Sequence, residues 1–487
     1  MYEFLKNLSE KSNCQSMGIC SIDPTVSAIE ELLLSQIRQT CFYVIKLREL
    51  GQFSKEIENN IIKGLSIVML NTSFDKDDFM CFLAQLCKDK NIAKEKYMSI
   101  CKQNRQSCEL INTDEDFCEK SNLNTMIKIG EEKLQNKYRG VNNEKQRLLE
   151  LITIFAKTSS IILQLLKKVK PDTSDFDFEV IRFFSLTNSI SNRCEKLKRR
   201  ILEFSKIGYQ IQQQTSDFYE NRYGKRISAK ILTTPIEGRA ILISGPDIFE
   251  LEKLLETIGN REINVYTNSL MYIAHTYPKF KKYKNLKGHL GTQNPQIDFS
   301  DFPGAILLTQ NFSQKIDNLL RGTMYSNKII APNRVFKIKN NDYEPLIQSA
   351  LKLDGFEKTK NKKYLELSHD FTKIETTLDE LKDSSVVIIV GENSSTEDIQ
   401  DFNGKKIINL DCPVETDLLL STLKKCKDLN IKTDLFFTSC SISSINTLLC
   451  TLFMNLENTY LVNCSSSIIS PHVLESLQSD FRVNIIK

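Results

Sequence analysis

The strongest constraint in this sequence is a change of period near residue 215. Up to Gln214, apolar residues recur every three or four positions with charges between them, in Ile29–Leu50, Lys145–Val169 and Phe178–Gln214. That is the pattern of helices burying one stripe. Only Pro24 and Pro171 fall in this part, and Pro171-Asp172 followed by Ser174 and Asp175 predicts a helix stop and restart. After Gln214 the apolar runs shorten. Arg239–Gly245, Ile263–Thr267, Ala305–Thr309 and Lys328–Ala331 read as strands, with an amphipathic helix at Asp247–Ile258. The Lys-rich stretch Glu357–Lys363 sets off a third unit. There Ser385–Gly391, Lys406–Leu410, Asp434–Phe437 and Thr459–Val462 read as strands, and Val414–Lys427 and Ile442–Met454 as helices. Strands alternating with helices form parallel sheets. The expectation is a helical bundle domain over 1–215 followed by two Rossmann-like α/β domains, 216–356 and a shorter 357–487.

A chain of 487 residues exceeds what one core supports, which agrees with several domains. The net charge of +4 is small and no long basic run stands out, so a nucleic-acid partner is not expected. Leu148–Leu166 is the longest apolar stretch, but Glu150, Lys157 and Thr158-Ser159-Ser160 interrupt it. It reads as a buried helix, not a membrane span. Met1–Lys11 mixes Glu and Lys without an apolar run, so a cytoplasmic protein is expected. Of the 14 Cys, nine lie in the first 194 residues and five from 412 on, and no two have C-x-x-C spacing. In such a chain they read as thiols rather than disulfides, most of them small buried hydrophobes.

In sheets of this kind, sites form in loops at the carboxyl ends of strands. The segments around those loops carry a resemblance. Asn221-Arg-Tyr-Gly224, Ala240–Gly245, Ile263–Thr267, Ala274-His275 with Tyr277-Pro278, Leu286-Lys-Gly288 and Asp301-Phe-Pro-Gly304 share one register. Together they resemble the second domain of the hybrid-cluster (prismane, or hydroxylamine reductase) family, distantly related to nickel carbon monoxide dehydrogenases. Asn13-Cys14 and Gly18-Ile-Cys20 resemble half of that family's amino-terminal cluster motif, and Pro471–Glu475 with Asp480-Phe481 fits its end.

The resemblance implies iron–sulfur chemistry, the reduction of hydroxylamine or a related nitric oxide or peroxide detoxification. It also implies that this chain has lost the ligands for it. Where the family has Gly-His-Asp, this chain has Gly245-Pro246-Asp247. Where the family has a ligating Glu, it has Leu270, and where the family has Asn-Cys, it has Asn311-Phe312. The family's persulfide-bearing Cys falls on Glu392, and its late Glu-x-Lys pair on Ser441 and Ser443. Cys412 keeps a ligand type, and Cys14 and Cys20 keep half of the amino-terminal set, whose first pair would fall near Glu3 and Lys6. A four-thiolate cluster needs four soft anionic ligands. No cofactor is therefore expected; an iron–sulfur cluster at the amino-terminal site is the alternative. Leu270 and Phe312 predict a former cluster pocket that is filled and dry. The expected role is a catalytically inactive binding or scaffold protein with a protein partner. The alternatives are a reductase with an atypical site, or a small-molecule module using the cleft between the α/β domains, with His275 and Glu392 as cleft residues.

Overall fold

The computed structural model describes residues 24–67, 75–111, 122–170, 172–188, 192–291, 299–309, 323–331, 335–367, 371–391, 399–402, 405–411, 416–437, 442–456, 458–462 and 471–486. The first part is helical, as its period demands: α1 Pro24–Glu49, α2 Lys55–Ile67, α3 Lys76–Gln103, α4 Leu123–Asn136, α5 Asn143–Val169, α6 Ser174–Phe184 and α7 Cys194–Tyr223. Side chains fix several starts. The Asp75 carboxylate accepts from the N–H groups of Asp77 and Asp78, and Asn142 accepts from that of Lys145. The stop and restart around Pro171 is present. The single helical run read over Phe178–Gln214 is not: a 3₁₀ turn at Ser185–Asn188 divides it, with the Asn188 amide donating to the Arg38 carbonyl at 2.7 Å. α5 is the one described helix long and apolar enough to cross a membrane, and it is mostly buried within the protein.

Two sheets follow. The first comprises β1 Ala229–Leu232, β2 Ala240–Ser244, β3 Asn264–Asn268, β4 Leu286–His289, β5 Ala305–Leu308, β6 Thr323–Ser326, β7 Phe336–Lys337 and β8 Tyr364–Leu367. Their order is β7-β6-β5-β2-β3-β4-β1-β8, and every neighbouring pair is parallel except β1 with the edge strand β8. The second comprises β9 Ser385–Gly391, β10 Ile399–Phe402, β11 Lys405–Asp411, β12 Lys432–Phe437, β13 Asn458–Val462 and β14 Val483–Ile486. Its order is β10-β11-β9-β12-β13-β14, again with one antiparallel edge strand, β10. Two readings need correction. β5 pairs with Thr323–Ser326, so Lys328–Ala331 is not a strand but the bend that follows one. The first sheet also runs past the division at 356, because β8 pairs with β1 over four residues.

The cores do not follow the chain order. Phe155 and Phe204 of the bundle belong to one apolar cluster with Leu435, Phe437 and Leu449 of the second α/β unit. Gly208 permits the contact between α7 and the helix α12 Ile442–Thr451, since a Cβ there would lie 2.8 Å from Cys450 Sγ. The Ser205 hydroxyl donates to the Leu449 carbonyl at 2.7 Å beside it. The first sheet keeps two clusters of its own, one on each face: Ile241, Ile243 and Leu307 on one, Leu242, Tyr266 and Ile306 on the other. That separation follows from the alternation of side chains along a strand. Cys41, Cys101, Cys426 and Cys450 are buried free thiols.

Candidate functional site: a cavity at the switch point of the first sheet

The order of the first sheet reverses at β2, whose neighbours are β3 on one side and β5 on the other. Connections diverging in this way open a crevice beyond the carboxyl ends of those strands. Three short segments meet there. Gly245 takes φ +124°, which side chains disfavour, and turns the chain from β2 into the helix α8 Ile248–Ile258. Ser269 takes φ +57° and directs the chain out of β3 towards Leu270. Thr309 follows β5, and its hydroxyl donates to the Ser244 carbonyl at 3.0 Å. The Ser244 hydroxyl donates in turn to Asn268 Oδ1 at 2.8 Å, and Asn268 Nδ2 donates to the Leu290 carbonyl at 2.8 Å. The strand ends are thus tied together through buried hydrogen bonds.

Over these ends lies a cavity of about 580 Å³, lined by Pro246, Leu270 and Thr309 from the sheet and by Lys63, Gln164 and Lys168 from the bundle. Two of the positions read as lost ligands, Pro246 and Leu270, therefore do border one space. A cavity remains beside Leu270; Phe312, the other residue expected to fill it, lies outside the described residues. Leu270 covers only part of the wall, and ammonium groups from α2, α5 and the bend after β6 enter the lining instead. The cavity lies between the bundle and the first sheet, with Asn446 the single lining residue from the second α/β unit among the described residues.

Charge at this site is unevenly paired. Lys168 bonds Asp247 at 2.5 Å and also Glu250, while Tyr343 donates to the other oxygen of Glu250. Burial works against the Lys168 ammonium, but the two carboxylates outweigh it and raise its pKa. Asp247 also caps α8, accepting the Glu250 N–H at 3.2 Å. Lys328 has no bonded partner for its ammonium among the described residues, and burial lowers its pKa. Lys63 likewise has no such partner, and burial and then Lys167 lower its pKa.

His275 lies beside this site and not in its lining. Its Nε2 and the Nδ1 of His289 each sit 3.0 Å from the Thr267 hydroxyl. Burial, reinforced by His289, holds His275 down at about 3, and burial holds His289 at about 4. Both rings are therefore neutral near pH 7. The Thr267 hydroxyl can donate to one and accept from the other.

Cys14, Cys20, Phe312, Glu392, Cys412 and Ser441 lie outside the described residues; Ser443 falls within α12, with its side chain not described. The donors around the cavity do not fit an iron–oxo–sulfur cluster. Pro246 and Leu270 supply no ligand atom, and Asp247 and Glu250 are held by Lys168. The remaining cationic lining, Lys63, Lys253 and Lys328, cannot ligate iron while protonated. Among the described residues no group of three or more His, Cys, Asp and Glu is placed to hold a metal ion.

The lysines, Gln164 and Asn327 were not singled out from sequence. Lys168 sits in the run Lys167-Lys168-Val169-Lys170 at the end of α5, which reads as cations favoured near a helix C-terminus. Lys328 lay in a segment read as a strand. Asp247, retained beside the altered Pro246, was the one available signal.

The profile of the Prismane/CO dehydrogenase family matches residues 8–441. The hydroxylamine reductase of Thermodesulfovibrio yellowstonii is 27% identical over 371 residues, covering 74% of this chain and 66% of that protein. The hydroxylamine reductase of Acidiphilium cryptum is 24% identical over 352 residues, covering 70% of this chain and 62% of that protein. The chain thus spans just under two thirds of the length of these relatives. With a match over most of its length, this chain belongs to the Prismane/CO dehydrogenase family.

Proposed function

We propose that this chain works without a metal cluster, as a binding or scaffold member of its family and not as a hydroxylamine reductase. One observation carries the reading. The cavity at the switch point of the first sheet is walled by Pro246, Leu270 and lysine ammonium groups, and its two carboxylates are engaged by Lys168. Binding of a metal centre is the sum of ligand bonds in fixed geometry, and several ligands lost together leave too few to hold it. The residues standing at the other ligand positions, Phe312, Glu392, Ser441 and Ser443, point the same way by their chemistry. Cys412, Cys14 and Cys20 keep a soft-ligand type in the sequence.

The test is iron and acid-labile sulfide in protein kept under argon from lysis onward, together with an electron paramagnetic resonance spectrum and hydroxylamine-dependent oxidation of a reduced viologen. The expected result is iron well below one atom per chain and no hydroxylamine-dependent turnover. A stoichiometric multi-iron signal would overturn the proposal.

A further inference from the structure

The cavity is open in volume but not neutral in character. Among the described residues its lining carries four ammonium groups, Lys63, Lys168, Lys253 and Lys328, against two carboxylates, Asp247 and Glu250. Lys168 consumes both carboxylates, and Lys253 lies over the Phe249 ring at 4.6 Å. Lys63 and Lys328 make no ion pair or hydrogen bond through their ammonium groups among the described residues; Asp247 and Glu250 act on Lys328, and Glu56 and Asp89 on Lys63, only from a distance. Two further polar atoms in the lining, Gln164 Nε2 and Asn327 Oδ1, are buried with no hydrogen-bond partner. Much of the remaining wall is hydrocarbon: Ile67, Ile161, Ile162, Leu165, Leu270 and Ile329.

Buried polar groups normally have partners, and an unmet one costs free energy. A ligand that meets the ammonium groups and the Gln164 Nε2 donor must bring negative charge at one end; Asn327 Oδ1 is an acceptor and is not met by it. The apolar wall requires the ligand to bring hydrocarbon at the other. An inorganic oxyanion would satisfy the lysines and leave the isoleucine and leucine faces unfilled. A volume near 580 Å³ lies within the range of sites for small organic ligands.

We infer that this cavity binds a small organic monocarboxylate with an apolar body, its carboxylate held at Lys328 and its hydrocarbon against Leu270, Ile161 and Leu165. The depressed pKa of Lys328 agrees with this assignment, since an anion beside it restores the charge that burial opposes. The inference rests on the cavity being free of a metal cluster.

The experiment uses the full chain and titrates four probes by calorimetry: octanoate, octanol, octylammonium and inorganic phosphate. Octanoate is expected to bind at one site per chain and raise the melting temperature. Octanol should bind at least about tenfold more weakly, and octylammonium and phosphate not at all. Lys328→Met should weaken octanoate by about tenfold or more and leave octanol unchanged. Lys328→Gln should weaken octanoate in the same direction, which keeps the test decisive if Lys328→Met does not fold. Equal affinity for octanoate and octanol, octanoate binding unchanged in a folded lysine variant, or phosphate binding as tightly as octanoate would each overturn the assignment. Iron analysis of the same preparation separates the two proposals. Iron-loaded protein silent to octanoate defeats the cluster-free reading, whereas iron-free protein silent to octanoate defeats only this one.

Discussion

In the helical bundle, Glu31 receives Arg38 at 2.6 Å and Lys137 at 3.2 Å, and Glu150 receives Lys137 at 3.2 Å and the Tyr138 hydroxyl at 2.5 Å. At the switch point of the first sheet, Lys168 takes Asp247 and Glu250 while Lys328 and Lys63 take no described partner. Both groups are largely withdrawn from water, and the consequences differ in sign. Burial opposes the charge of Lys137, but Glu150 and Glu31 outweigh it and raise its pKa; at Lys328 burial outweighs the pull of Asp247 and Glu250, and the pKa falls. Burial pushes the Glu31 carboxyl up, yet Arg38 and Lys137 hold it at about 2. The first group is a structural network that closes on itself. The second is incomplete in the way a ligand site is incomplete, because charge and space occur together there.

The comparison is tested most severely by removing one charge from the closed group. Glu31→Ala leaves Arg38 and Lys137 without that carboxylate in a buried setting, and the expected loss is about 3–5 kcal/mol in urea unfolding. A loss below about 1 kcal/mol would mean that the bundle charges are solvated and that the contrast between the two groups is not real.

A second, smaller effect comes from the neutral polar group beside the cavity. His275 and His289 have folded pKa values of about 3 and about 4 against an ordinary 6.5. Depressed values mean that the unfolded chain binds the protons first. Stability present above pH 6.5 is then lost progressively as the pH falls towards 4. Allowing for partial exposure, the two rings together are expected to remove up to about 1 kcal/mol per pH unit over that window. The double variant His275→Gln/His289→Gln should flatten the pH dependence of the urea midpoint between pH 6.5 and 4.5. A profile as steep as that of the parent chain would place the acid sensitivity elsewhere.

Glu30 gives a third effect, with the opposite pH sense. Burial and then Glu31 raise its carboxyl to about 8, against the attractions of Lys157 and Lys137. A raised carboxylate pKa favours the folded state at low pH, and this advantage is lost as the pH rises from 4.5 through about 8. Glu30→Gln should therefore stabilise the protein by about 1–2 kcal/mol at pH 8.5 and have little effect at pH 4.5. Stabilisation that did not vary with pH would show that Glu30 does not titrate in this range.

These contrasts were only partly legible in the sequence. The change of period located the bundle, and the Gly- and Pro-marked apolar runs located β2, β3, β5 and the central strands of the second sheet. Strands of few apolar residues, such as β4 Leu286–His289 and β8 Tyr364–Leu367, were not read, since only their partners make them strands. Gly288 shows why pairing matters: a Cβ there would stand 2.1 Å from the Leu232 carbonyl oxygen, so glycine sets how closely β1 and β4 approach. At the site, the residue types at Pro246 and Leu270 could be read from the family resemblance. The cavity could not, because its walls come from α2, α5 and the first sheet, separated by more than two hundred positions of chain between Lys63 and Lys328. Nothing local marks Lys168 or Lys328 as different from the chain's many surface lysines. Their distinction is burial, which is a property of the packed molecule.

The smallest expected effect sharpens the comparison furthest, because it has the opposite sign from the largest. Glu31→Ala removes one member of a paired set and strands two cations. Lys328→Met removes a charge that has no described partner to strand, and replaces a desolvated ammonium with a thioether of similar length against Ile329 and Leu270. Lys328 is not fully enclosed, so the relief is modest. In the absence of ligand the variant is expected to be more stable by up to about 1 kcal/mol near neutral pH. The gain should shrink as the pH rises above the lysine's lowered pKa, where the parent chain also carries no charge at this position. A loss of stability on the scale of Glu31→Ala would mean that Lys328 is engaged by a carboxylate after all, and that the switch-point charges are as closed as those of the bundle.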